Sequence, residues 1–165
     1  MTNCSKTKCF ISVIAVFAFT MVFDWLVHGQ VMKSLYMANA SVFRPEPDMQ
    51  KMMAFCLAFH FFMAMVVTCM FKNYKNYSAE ACAADPELAK KCAPCARGMC
   101  FGLHLGLIFG LGMASSYIWF PVSGELGAAW FGAGLLKGIF VGLILGALSG
   151  KSNCEIETVT KKKKK

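Results

Sequence analysis

Long apolar runs alternate with short polar stretches along this chain. Four runs stand out, at about 9–29, 50–71, 99–120 and 127–149. Each is long enough for a helix to cross the hydrocarbon core of a bilayer, which takes roughly 20 residues at about 1.5 Å rise per residue. A soluble domain rarely needs a helix of that length to be apolar throughout. The pattern therefore predicts an all-α fold: a polytopic membrane protein with four transmembrane helices in an antiparallel bundle. Residues 1–150 form one domain, and 151–165 a basic tail.

Composition agrees. Of 165 residues, 57% are apolar and 16% charged, against about 45–50% and about 25% in ordinary globular chains. The net charge of +8 does not indicate nucleic acid, because the cations are sorted by segment. Thirteen of the 17 Lys and Arg fall at the N-terminus (Lys6, Lys8), in the middle connector (Lys72, Lys75, Lys90, Lys91, Arg97) and in the tail (Lys151, Lys161 to Lys165). The first connector and its flank hold only Lys33, Arg44 and Lys51, and the third connector holds none. Cytoplasmic segments carry the excess of Lys and Arg. Both termini and connector 72–98 are thus expected on the cytoplasmic side of the cell (inner) membrane, with the bilayer as the main partner. The small-x-small triplet "ANA" at 38–40 lies well beyond the first apolar run, so signal cleavage is not expected. Tyr117, Trp119, Trp130 and Trp25 would form an aromatic belt at the outer face.

Glycine marks the last two runs. Gly134, Gly138, Gly142, Gly146 and Gly150 recur at every fourth position, and Gly102, Gly106 and Gly110 repeat the spacing in run three. Lipid tails are as apolar as leucine, so helices in a membrane associate through close packing at small residues. The very short third connector brings the two stripes within reach of each other. Either they pack together as an internal seam, or the groove on run four serves a homo-oligomer.

Within the apolar runs a few ionisable residues remain: Asp24 and His28 on run one, His60 on run two, and Lys137 on run four. A charge in mid-bilayer costs about 2.5–3.5 kcal/mol on insertion scales, so it normally faces a partner or water. Counting about 1.5 Å per residue from the inner boundary puts Lys137 near ~18 Å, Asp24 near ~21 Å and His60 near ~16 Å. On the same scale Cys56 and Ser115 fall close by, His28 stands about one turn above Asp24, and His104 lies far below. Asp24 and His28 share a helix face at i,i+4 spacing. Two readings follow. Asp24 and Lys137 form an ion pair that locks the bundle, or the layer Asp24, His28, His60 and Lys137 is an ion, proton or ligand site. The stagger of the histidines disfavours paired ligation of one haem or metal but is compatible with a proton relay.

Nine cysteines are present. Most lie on the expected reducing side, where stable disulfides are not expected. The "CAPC" at 92–95, with Cys82 and Cys100 beside it, offers four thiols: Cys82, Cys92, Cys95 and Cys100. They could be inert, close a soft-metal site for Zn or Cu, or include a redox pair. Met32, Met37, Met49, Met52 and Met53 cluster toward the opposite side. They serve either as membrane filler or as thioethers feeding copper(I) inward.

"FDWLVHG" and "SVFRPEPDMQ" resemble motifs of a family of small, uncharacterised four-span bacterial membrane proteins. The matching positions are Asp24, His28, Gly29, Phe43, Arg44, Pro45 and Glu46. The resemblance spans roughly residues 15–150, excludes the cysteine-bearing connector, and implies a fold and a location rather than a reaction. No Ser/His/Asp arrangement, phosphate-cradling loop or catalytic acid pair is evident, so no enzyme is expected. The functional expectation is small-ion or soft-metal transport through the polar layer. The alternative is a structural or accessory subunit assembling through its glycine-rich helices.

Overall fold

The apolar runs become four long helices in a computed structural model that describes the backbone of 6–84 and 94–149 and the side chains of 7–78 and 97–149. Every regular element among the described residues is helical. In chain order they are α1 (Lys6–Leu26), a π-turn (Val27–Val31), α2 (Lys33–Ala38), a 3-10 turn (Ala40–Val42), α3 (Glu46–Lys51), α4 (Met53–Ala84), α5 (Pro94–Ala114), α6 (Ser116–Trp119) and α7 (Gly124–Leu148). Four stretches are long and apolar enough to cross a membrane: Thr7–Val31, Met53–Ser78, Arg97–Trp119 and Gly124–Leu148. The chain is an all-α, multi-pass membrane protein.

Three boundaries differ from the sequence expectation. The middle connector is shorter than 72–98, because α4 runs on to Ala84 and α5 already begins at Pro94. No proline interrupts 72–84, so the polar stretch after Phe71 continues the helix. Pro94 opens α5, where its missing N–H leaves no further donor unsatisfied. Connector one folds as three short helical pieces over one end of the bundle. Run one does not finish as plain α-helix. Its last turn widens into the π-turn, closed by Met32 N–H donating to the Val27 carbonyl at 2.8 Å.

The bundle is assembled around α5 and α7, its most extensive helix pair. A Cβ on Gly134 would fall 2.6 Å from Gly110 Cα, and one on Gly102 would fall 2.7 Å from the Gly138 carbonyl oxygen. A Cβ on Gly138 would collide with the Gly106 backbone, and one on Gly142 with Gly98 and Gly102. Glycine is required at these positions because the two backbones are in direct contact. Gly98 belongs to the same stripe, one step of four before Gly102, and the sequence reading missed it. Gly134, Gly138, Gly142 and Gly146 are all buried, so this face of α7 is filled within one chain.

α1 packs on α4 and on α7. Their shared core, nearer the N-terminal end of α1, contains Val16, Val67, Phe71, Phe101, Leu105, Val141 and Leu145. A second cluster closes the opposite end. There Met32, Val122, Leu126, Trp130 and Ala133 pack with Leu35, Tyr36 and Phe43 of connector one. Asn39 ties that cap down: its Oδ1 accepts from the Ser123 N–H at 3.0 Å. Ser123 also caps α7, its hydroxyl accepting from the Leu126 N–H at 3.3 Å, an arrangement worth about 1 kcal/mol. Elsewhere the outer surface is oily. Trp119 is 79% exposed, Ile118 75% and Phe55 71%, a surface suited to lipid.

Candidate functional site

Three of the four long helices each send one ionisable side chain to a common point. Asp24 comes from α1, His60 from α4 and Lys137 from α7. Lys137 Nζ lies 2.5 Å from Asp24 Oδ1, and His60 Nε2 lies 2.8 Å from Asp24 Oδ2. Asp24 therefore bridges two cations with its two oxygens. All three side chains are largely covered, with 14% of Lys137 and 20% each of Asp24 and His60 exposed. The Phe23 ring lies 5.9 Å from the Lys137 ammonium and shields it further.

Hydrogen-bond donors fix where the protons are. His60 Nδ1 is 2.8 Å from the Cys56 carbonyl. A carbonyl only accepts, so Nδ1 carries a hydrogen. Nε2 faces a carboxylate oxygen at hydrogen-bond distance, and that contact needs a proton between the two atoms. Nitrogen and oxygen share this proton, as imidazolium with carboxylate or as imidazole with carboxylic acid. Either way Lys137, His60 and Asp24 together carry one net positive charge. Cys56 Sγ lies 3.5 Å from the same Nδ1 and joins the layer only there.

His28 extends the cluster toward connector one. It sits in the π-turn, a wide turn often found at functional positions. Its Nε2 is 3.8 Å from Asp24 Oδ1, and its Nδ1 is 2.8 Å from the Tyr36 hydroxyl. Trp130 Nε1–H donates to that same hydroxyl at 2.8 Å. Indole is a donor only, so the Tyr36 hydroxyl accepts from Trp130 and keeps its own proton to donate to a bare His28 Nδ1. His28 is then the tautomer with its hydrogen on Nε2, facing Asp24. Burial raises the Tyr36 phenol above its ordinary range, and the Asp24 charge adds to this while the Trp130 bond opposes it. The hydroxyl thus keeps its proton at neutral pH. A line of groups runs Trp130, Tyr36, His28, Asp24, His60. Tyr36 and Trp130 were missed in the sequence, where Tyr36 read as connector and Trp130 as interfacial belt.

Beside His60 and Lys137 lies a cavity of about 300 Å³ between α1, α4, α5 and α7. Its walls are apolar, with Val16, Met63, Val67 and Phe109 among them, and His60 and Lys137 supply the charge. Its α4 and α5 walls belong to helices that barely touch each other. Phe59 and Ile108 stand in these walls and are 61% and 62% exposed.

The other expected groups lie elsewhere. The Ser115 hydroxyl donates to the Gly112 carbonyl of its own helix at 2.7 Å. His104 Nδ1 pairs with the Cys100 carbonyl at 2.7 Å, on the exposed face of α5. Cys56 and Cys69 are exposed. Of the four-thiol set, Cys100 is free and exposed, while Cys82, Cys92 and Cys95 lie outside the described side chains. Among the described residues no group of three His, Cys, Asp or Glu is placed to hold a metal ion. Arg97, counted in sequence as a connector charge, is 5% exposed, and its Nη1 and Nη2 have no partner among the described residues. No family model matches the chain, nor does any curated protein or solved structure.

Proposed function

We propose that this protein belongs to the transport class and that the Asp24 layer is its working site, passing a proton between the connector-one end and the middle of the bundle. One observation carries the reading: His60 Nε2 lies 2.8 Å from Asp24 Oδ2 inside the bundle, a contact that one proton shared between the two groups would satisfy. His28 and Tyr36 supply a route to it from one end, and His60 presents it to the cavity on the other side. Only the 3.8 Å step from His28 to Asp24 is longer than a hydrogen bond, so the relay requires the imidazole to approach Asp24.

The proposed orientation places both termini and the middle connector in the cytoplasm of a cell whose inner membrane holds the bundle. The sorting of Lys and Arg supports it. Kinship with the small four-span bacterial family belongs to the same proposal. Asp24 and His28 of its motifs stand in the layer, and Phe43 packs edge-on against Tyr36 with ring centroids 5.1 Å apart.

The test is proton movement in liposomes containing purified protein and a trapped pH dye, driven by a potassium diffusion potential. The wild type is expected to equilibrate the interior faster than empty liposomes, and Asp24→Asn to remove the difference. A second reading rests on Asp24 joining α1, α4 and α7: the layer is then a lock in a structural subunit. Wild-type liposomes as tight as empty ones would establish that reading instead, since loss of stability in Asp24→Asn is expected under both.

A further inference from the structure

We infer that the lateral cavity is the binding site of a membrane-borne amphiphile with an anionic head, of the long-chain carboxylate class. Its head would lie against Lys137 and His60, with its chain in the apolar part of the cavity. The inference rests on the reading of the layer as a working site and names what that site takes.

Charge is the first argument. Lys137 and His60 bring two positive charges to the layer and Asp24 one negative. The proton shared between Asp24 and His60 does not change that sum wherever it sits, and His28 is neutral in the tautomer its partners select. One positive charge therefore stands uncompensated in a low-dielectric setting, where an unpaired charge is costly. Of the ionisable groups in the layer, Lys137 and His60 line the cavity, while Asp24 stands behind them. The cavity thus meets the cationic side of the layer, and one anion would bring it to neutrality.

Shape and access are the second argument. At about 300 Å³ the cavity reaches the lower end of the size range of small-molecule sites. Its walls beyond the two cations are aliphatic, aromatic and thioether groups with one hydroxyl, that of Thr20, which is spent on the Phe17 carbonyl of its own helix at 3.0 Å. A small inorganic anion would have to shed its hydration to lie there, whereas an acyl chain fills such a space favourably. The opening between α4 and α5, beside exposed Phe59 and Ile108, faces the lipid side of the bundle, so a lipid-dissolved molecule enters without crossing water. Gly112 also lines the cavity, and a Cβ there meets nothing within 4 Å. The backbone at this position leaves room that the seam glycines do not.

The experiment is equilibrium binding of radiolabelled palmitate to the full chain in phosphatidylcholine nanodiscs, with empty nanodiscs subtracted. Hexadecanol, which has the same chain without the charge, is measured in parallel. Wild type is expected to bind palmitate saturably and at least about tenfold more tightly than hexadecanol. Gly112→Phe, which fills the opening and leaves both cations in place, is expected to abolish binding of both. Lys137→Met should erase the preference for the acid. Should Lys137→Met fail to fold, the palmitate-to-hexadecanol ratio on wild type and the Gly112→Phe result decide alone. Absence of saturable binding, equal affinity for the two ligands, or binding untouched by Gly112→Phe would overturn the inference. Full displacement of palmitate by chloride would overturn the lipid class in favour of a simple anion. Binding is read without a proton gradient. Palmitate bound without proton flux would therefore fail the relay alone, and flux without binding would fail this inference alone.

Discussion

Asp24 pairs with Lys137 and with His60 and faces a second imidazole, that of His28, so its replacement affects more than one contact. Asp24→Asn leaves Lys137 without its counter-charge inside the bundle. Breaking a buried pair from one side typically costs about 3–5 kcal/mol, because the remaining charge is uncompensated. Thermal unfolding in detergent is expected to show a destabilisation of that size. The double variant Asp24→Asn/Lys137→Met should recover a good part of it, since no charge is then orphaned. Tyr36 offers a subtler check. Tyr36→Phe removes the donor to His28 and the acceptor of the Trp130 N–H. An unsatisfied buried polar group costs about 1–3 kcal/mol. Because burial raises the Tyr36 phenol in the folded state, its contribution is complete below the ordinary phenol value of about 10 and is lost as pH rises through the folded value. Wild type should therefore lose stability in strong alkali more steeply than Tyr36→Phe, as read by melting temperature against pH.

At the level of elements, the α5–α7 seam and the π-turn carry the argument. Alanine favours a helix over glycine by about 1 kcal/mol, so Gly→Ala changes on α7 would stabilise it if propensity alone mattered. Gly138→Ala is expected to lower the melting temperature, because its methyl would collide with the Gly106 backbone. Gly132→Ala, on the same helix with nothing within 4 Å of its Cβ, should leave the melting temperature unchanged or raise it slightly. Equal effects at the two positions would contradict a close-packed seam. The π-turn holds His28 between Asp24 and Tyr36, a placement that plain α-helical continuation of α1 would change. The stripe of glycines was legible as a spacing of four. The π-turn was not, because "VHGQV" has no residue that dictates a wide turn, and its partners lie in connector one and on α7.

For the whole molecule, the four long helices put the N-terminal end of α1 and the C-terminal end of α7 at one end of the bundle, opposite connector one. A cysteine-free background with a single cysteine at Ser34 or at position 154 tests the proposed orientation in cells. A membrane-impermeant thiol reagent added outside should label Ser34→Cys directly, and should label the native Cys154 only after permeabilisation. The reverse order would invert the topology. Labelling of both positions from outside would contradict a chain that crosses the membrane four times.

The sequence alone determined that the chain is helical, has four segments long and apolar enough to cross lipid, and carries a glycine stripe on each of its last two helices. Those features depend on hydropathy and on local spacing, which each segment carries by itself. It also brought Asp24, His60 and Lys137 to nearly one height, because rise per residue is constant along a helix. Which of them touch was decided only by the rotation of α1, α4 and α7 about their axes, and rotation depends on packing between distant segments. The same packing made Tyr36 the partner of both His28 and Trp130, left a gap between α4 and α5, and turned two cations toward it. None of this is written in any single run of residues, because these contacts join side chains from different helices.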